Sequence, residues 1–236
     1  MKQIYRVPFE RNSERVKQLR YDYVQTIMDF DAAELPHEFL YMDEAGFNLA
    51  KTRRRGCNGI GQRAIVNVPG QRGANITLCA PISVQGVLHH HATVGPYNTA
   101  HIITFLDTLH DMLTNVQRQE QTRYVIIWDN VSFPRAALVR NWYTDHPLFT
   151  VLNLPPYSPF FNPIEEFFSA WRWKVYDRHP HQCIALSQAM EEACGDIDQA
   201  SCHALILHSR RYFETLIACD VDEILWPDPE RRHDVD

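Results

Sequence analysis

The sequence predicts a mixed α/β domain that ends in helices. Three observations carry this. Short β-rich segments cluster between residues 39 and 93. The unbroken apolar run Tyr124-Val125-Ile126-Ile127-Trp128 reads as a strand covered on both faces, with helix and strand patterning after it. Beyond Asn162 only helical periodicity remains. At 236 residues the chain fits one large domain or two small ones, and 45% hydrophobic and 11% aromatic content is that of a folded protein.

Asn12 or Ser13 can cap a first helix, which carries Val16, Leu19, Tyr23, Ile27 and Phe30 at helical spacing and ends by Pro36. Phe39-Leu40-Tyr41-Met42 is a buried strand closing on Asp43-Glu44. Gly46 is expected to turn the chain, and Phe47-Asn48-Leu49 to open a second strand. Ile76 to Val84 alternates and turns at Gln85-Gly86, and Val87 to Thr93 is a third strand. Asn98 or Thr99 caps a helix bearing Ile102, Phe105, Leu106, Leu109 and Met112. A helix over Pro134–Tyr143 and a strand over Phe149–Leu152 follow the central strand. The prolines of Pro155-Pro156-Tyr157-Ser158-Pro159 make a rigid loop. Asn162-Pro163-Ile164-Glu165 is a strong helix start, with Asn162 as N-cap and Pro163 in the first helical position. Further helical segments run through 186–193 and 203–217.

The net charge of -6, taken alone, argues against a nucleic-acid partner, but charge is unevenly spread. Between Lys51 and Arg72 lie Arg53, Arg54, Arg55 and Arg63 with no acidic residue, whereas 220–236 is mostly acidic. The six cysteines form no Cys-x-x-Cys pair, so zinc-ribbon and thioredoxin-like chemistry has no support. Those after Cys183 are expected to be buried apolar groups. Without an apolar leader or a long apolar span, the chain is expected to be intracellular, with reduced thiols and no membrane partner. His89-His90-His91 is expected to serve packing or surface, not zinc, because only His89 and His91 would share a strand face.

Three acids share a telling context: Asp43 ends one apolar strand, Asp129 ends the central one, and Glu165 opens a helix after the proline loop. Strand ends and a helix start can converge at one sheet edge. Clustered carboxylates suit hard divalent cations, which prefer oxygen ligands and can activate phosphodiesters. Each acid has a bland alternative. Glu165 can complete an Asn-x-x-Glu capping box, Asp43 and Asp129 can form turns, and Glu44 and Glu166 are rival ligands.

Tyr41-Met42-Asp43-Glu44-Ala45-Gly46-Phe47, Trp128-Asp129-Asn130 and the block Leu154 to Glu165 resemble the three catalytic blocks of the Tc1/mariner and IS630-like DDE transposases. From Asp129 to Glu165 is 36 positions, close to the spacing of that family. The resemblance implies an RNase H-like mixed sheet flanked by helices, with the metal triad Asp43, Asp129 and Glu165 holding two Mg²⁺ or Mn²⁺ ions. It implies cleavage at transposon ends and joining of the 3′-hydroxyl ends to target DNA. DNA contacts are expected at Arg53, Arg54, Arg55 and Arg63, and at Arg172 and Lys174 on the last block's helix. Residues 1–35 would be a helical linker, 36–178 the catalytic domain, and 179–236 helices and an acidic tail packed on it. A homodimer and a nuclear location are compatible with it, a bacterial cytoplasm being the alternative.

Two departures stand out. The family's usual His five positions after the second Asp is here Pro134. About 35 residues precede the first strand, too few for the family's paired helix-turn-helix domains. The alternative expectation is therefore a truncated or domesticated remnant that binds DNA or protein without catalysis.

Overall fold

The computed structural model describes residues 8–47, 59–63, 65, 75–115, 122–129, 136–178, 180 and 185–218. Six strands form one mixed sheet: β1 (His37–Phe47), β2 (Ile76–Ser83), β3 (Gly86–Val87), β4 (His91–Val94), β5 (Arg123–Trp128) and β6 (Phe149–Asn153). The order is β3-β2-β1-β5-β6, with β4 also pairing with β2. β1, β5 and β6 are mutually parallel, whereas β2 runs antiparallel to β1. Among the described residues, six α-helices flank the sheet: α1 (Glu14–Asp31), α2 (Thr99–Thr114), α3 (Ala137–Asp145), α4 (Pro163–Asp177), α5 (Leu186–Gly195) and α6 (Gln199–Ala218).

Alternation along the strands divides the core in two. Phe39, Tyr41, Val125 and Ile127 pack with residues of α1, α4, α5 and α6. Leu40, Met42, Ile126 and Trp128 pack with α2 and α3. The expected mixed α/β sheet with a helical end is what forms, and both faces of β5 are buried.

Several local expectations change. Gly46 does not turn the chain. It pairs with Thr77 inside β1, and the strand runs on because Phe47 packs edge-on against Trp171, ring centroids 5.6 Å apart. The expected strand from Val87 to Thr93 is split into β3 and β4. The Leu88 N–H reaches the Pro81 carbonyl at 3.3 Å, but Pro81 has no N–H to return the bond, so the ladder breaks there. Gly86 is required at the β2–β3 turn: its φ is +105°, and a Cβ would meet the Gln199 backbone of α6 at 3.5 Å. On α2, Leu113 and not Met112 faces the core. On α1, Leu19 is exposed and Arg20 is buried in its place. The third helix begins at Ala137; Pro134 lies outside the described residues. Cys194 and Cys202 are buried apolar groups, whereas Cys57, Cys183 and Cys219 lie outside the described residues.

Candidate active site

Met42 of β1 and Trp128 of β5 are register partners on parallel strands. Asp43 does not end its strand, as the sequence suggested, because β1 runs on to Phe47; Asp43 inside β1 and Asp129 just past β5 nevertheless lie side by side, on backbones about 4.8 Å apart. Tyr41 and Ala45 belong to the α4 side of the core, so alternation puts Asp43 on that side, and the charge of Asp129, the exposed bend residue after β5, acts on it there. Glu44 extends from the opposite face of β1, where its charge adds to the burial that raises the Cys79 thiol and the Tyr97 hydroxyl, yet its side chain also hydrogen-bonds with the Asp43 carboxylate.

β6 reaches the same place. Asn153 is the register partner of Trp128, and the Leu154 N–H donates to the Trp128 carbonyl at 3.1 Å. The loop 154–162 then carries the chain to α4. Its Tyr157 adopts φ +56°, a left-handed conformation costly for a tyrosine. Arg20 of α1, 1% exposed, donates from Nε to Ser158 Oγ at 2.8 Å and from a terminal nitrogen to the carbonyls of Tyr157 (3.1 Å) and Arg11 (3.0 Å). Arg20 and Ser158 were not foreseen as site residues. The available signal was a cation four positions after Val16 and three before Tyr23, on an otherwise apolar helix stripe.

Glu165 lies in the first turn of α4, and its charge acts on Asp43 together with that of Asp129. Glu166 points elsewhere, 3.9 Å from the His208 ring of α6. The capping-box reading of Glu165 also fails: the Asn162 N–H donates to the Pro159 carbonyl at 3.0 Å, and the Asn162 side chain makes no cap bond. That side chain is buried, and neither its Oδ1 nor its Nδ2 finds a partner among the described residues.

Electrostatics distinguish the three acids. Burial, chiefly, raises the Asp43 carboxyl to about 7, against the Glu44 N–H that donates to it at 2.8 Å; the negative charges of Glu165 and Asp129 raise it further. Asp129 is raised by desolvation although its residue is exposed. The negative charges acting on Asp43 form a field that a cation would neutralise, and three carboxylates are oxygen donors of the kind Mg²⁺ and Mn²⁺ accept. Among the described residues no group of three or more His, Cys, Asp or Glu side chains is already drawn together as an ion cage. The acids adjoin without being closed around a centre.

A stability consequence follows. The folded protein keeps the Asp43 proton until about pH 7, whereas the unfolded chain releases it near 3.8. The unfolded state thus binds fewer protons between these values, and metal-free stability declines across that window as pH rises. Calorimetry in the presence of a chelator should show this decline, with a shallower slope in Asp43→Asn. An unchanged slope in the variant would place the titration elsewhere.

Arg53, Arg54 and Arg55 lie outside the described residues, and Arg63 is exposed. Arg172 and Lys174 sit seven and nine positions along α4 from Glu165, roughly 10 and 14 Å down the helix axis. Lys174 contributes, after Ser201, to holding Asp198 below the usual carboxylate range. Trp171 is fully buried, with its ring N–H donating to the Met190 carbonyl at 3.0 Å, whereas Trp173 is exposed. Of the histidine run, His89 packs on Phe105 and His91 bonds the Tyr97 hydroxyl at 2.6 Å.

A family model described as DDE superfamily endonuclease matches residues 38–186, which include all three acids. Similar solved structures are of a mariner transposase, Mos1. Its isolated catalytic domain superposes with TM-score 0.61 at 18% identity, covering 91% of this chain and 98% of that one. Its paired-end complex with Mn superposes with TM-score 0.68 at 19% identity, covering 94% and 68%. Its strand transfer complex superposes with TM-score 0.68 at 17% identity, covering 95% and 67%. The chain thus spans about two thirds of the Mos1 chains in those complexes and has the RNase H-like fold of a transposase catalytic domain. No curated protein sequence matches it. Among the described residues, no helix is long and apolar enough to cross a membrane.

Proposed function

Since the chain belongs to the DDE superfamily endonuclease family, we propose that it is the catalytic domain of a Tc1/mariner-like DNA transposase, with Asp43, Asp129 and Glu165 as its metal-holding acids. One observation carries this reading: the charges of Asp129, just past the end of β5, and Glu165, in the first turn of α4, both act on the buried Asp43 of the neighbouring strand β1. Mg²⁺ or Mn²⁺, as two ions, suits that donor set. When bound, such a pair supplies Lewis-acid activation of the attacking oxygen and charge stabilisation at the leaving one. Asp43 and Asp129 offer oxygens from neighbouring backbones, and Glu165 offers its own from the first turn of α4. Asp129, at an exposed strand end, has room to rotate inward.

The substrate on this reading is DNA. A phosphodiester at a transposon end is hydrolysed, and the freed 3′-hydroxyl then attacks a phosphodiester of target DNA, releasing a 3′-hydroxyl from it. No protein nucleophile is needed. Arg53, Arg54, Arg55 and Arg63, with Arg172, are proposed to meet phosphates, since a chain of net charge -6 needs local cations at the DNA. A homodimer is proposed as the working assembly, because Mos1 is known as a paired-end complex.

The test is nicking and strand transfer with Mg²⁺ or Mn²⁺ on duplexes carrying the matching transposon ends. Divalent-dependent 3′-hydroxyl ends that join to a second duplex support the proposal. Nicks that never join point to a host nuclease of the same fold. A folded protein that binds DNA but cuts nothing with either ion is the non-catalytic remnant, the reading that Pro134 favours.

A further inference from the structure

We propose that Arg20 is a positioning residue for Glu165, holding the loop that sets where α4 begins. The proposal rests on the metal-holding role given to Glu165 above. Arg20 is buried, and its three hydrogen bonds all go to neutral acceptors: Ser158 Oγ and the carbonyls of Tyr157 and Arg11. Arg11, a like charge, adds to the burial that lowers Arg20 from the ordinary arginine range. A guanidinium in such a place is unfavourable for folding alone. A leucine would complete the apolar stripe of α1. The feature that only a multivalent donor serves is the loop, where the left-handed Tyr157 needs to be held in place.

From that anchor a continuous path leads to Glu165. Ser158 turns back to donate to the Pro156 carbonyl at 3.1 Å. The Phe161 N–H donates to the Ser158 carbonyl, the Asn162 N–H to the Pro159 carbonyl, both at 3.0 Å, and the Glu165 N–H to the Asn162 carbonyl at 3.3 Å. A second hold lies one turn along α1, where Tyr23 stacks on Phe161 with centroids 5.4 Å apart. The Asn162 side chain contributes no cap. The start of α4 is therefore set by the loop, and the loop by α1. Loosening a metal ligand's support lowers affinity without removing the ligand.

The experiment uses the full chain with Arg20→Met, which keeps an unbranched apolar stem and loses every donor, together with Arg20→Lys and Ser158→Ala. Mn²⁺ affinity is read by electron paramagnetic resonance titration, the Mg²⁺ requirement by nicking, and folding by Tm. The expected result is an Mn²⁺ Kd about tenfold or more higher in Arg20→Met, a smaller rise in Ser158→Ala, and partial recovery in Arg20→Lys. DNA binding in chelator should stay at the wild-type level. Should Arg20→Met fail to fold, Ser158→Ala decides, because it keeps the buried charge and removes one acceptor. Wild-type Mn²⁺ affinity in the folded variants, with only Tm lowered, overturns the proposal and leaves the transposase reading standing. Wild-type protein that binds Mn²⁺ but never cuts fails that reading while the affinity shift still supports Arg20. Wild-type protein that binds no Mn²⁺ overturns both.

Discussion

Asp43→Asn and Asp129→Asn are each expected to lower Mg²⁺-dependent nicking by about three orders of magnitude or more, a barrier increase of about 4 kcal/mol. Asparagine keeps the size and one acceptor oxygen, so Asp43→Asn can still receive the Glu44 N–H. It removes the negative charge that a hard cation needs from its ligands. The direction of the stability change separates this loss from misfolding. Asp43 is a carboxylate raised by burial and by the charges of Glu165 and Asp129. Neutralising it removes desolvation and repulsion together, so the metal-free variant at pH 8 should have a Tm equal to or above wild type. Nicking at wild-type rate by either variant would take the carboxylates out of the reaction. A fall in Tm alongside lost nicking would mean that the fold had been damaged instead.

Glu165→Gln and Glu166→Gln, neighbours in sequence, are expected to differ by about two orders of magnitude or more in nicking. Position 165 acts on Asp43, and its N-cap alternative is closed because Pro159 takes the Asn162 N–H. Position 166 stands about 100° around the helix and meets His208 across solvent at 3.9 Å. An exposed pair of this kind contributes little, so Glu166→Gln should change neither Tm nor rate appreciably. Initial rates at saturating Mg²⁺, with Tm for each protein, make the comparison. Equal losses at both positions would mean that the helix start, not a particular carboxylate, is what matters.

The missed local features share a cause. Split β3 and β4, continuous Gly46 and buried Arg20 each depend on a residue in another element: Pro81 on the adjoining strand, and Trp171 and Ser158 far along the chain. Periodicity within one segment cannot register such partners. Met112 and Leu113 differ by one step around α2, and only the shape of the opposing core selects between them.

The order and type of the main elements were legible in the chain because each follows from near neighbours. The unbroken apolar run of β5 needs two covered faces, and Pro163 after Asn162 starts a helix wherever it stands. Asp129 and Glu165 were legible too, as acids at the end of a strand and the start of a helix, whereas Asp43 lies inside a strand that runs on past it. Their direction was not. Register between β1 and β5 brings Asp43 beside Asp129, and the phase of α4 lets the Glu165 charge act on Asp43 while Glu166 meets His208. Register, facing and helix phase are relations between segments far apart in the chain, and only packing assigns them.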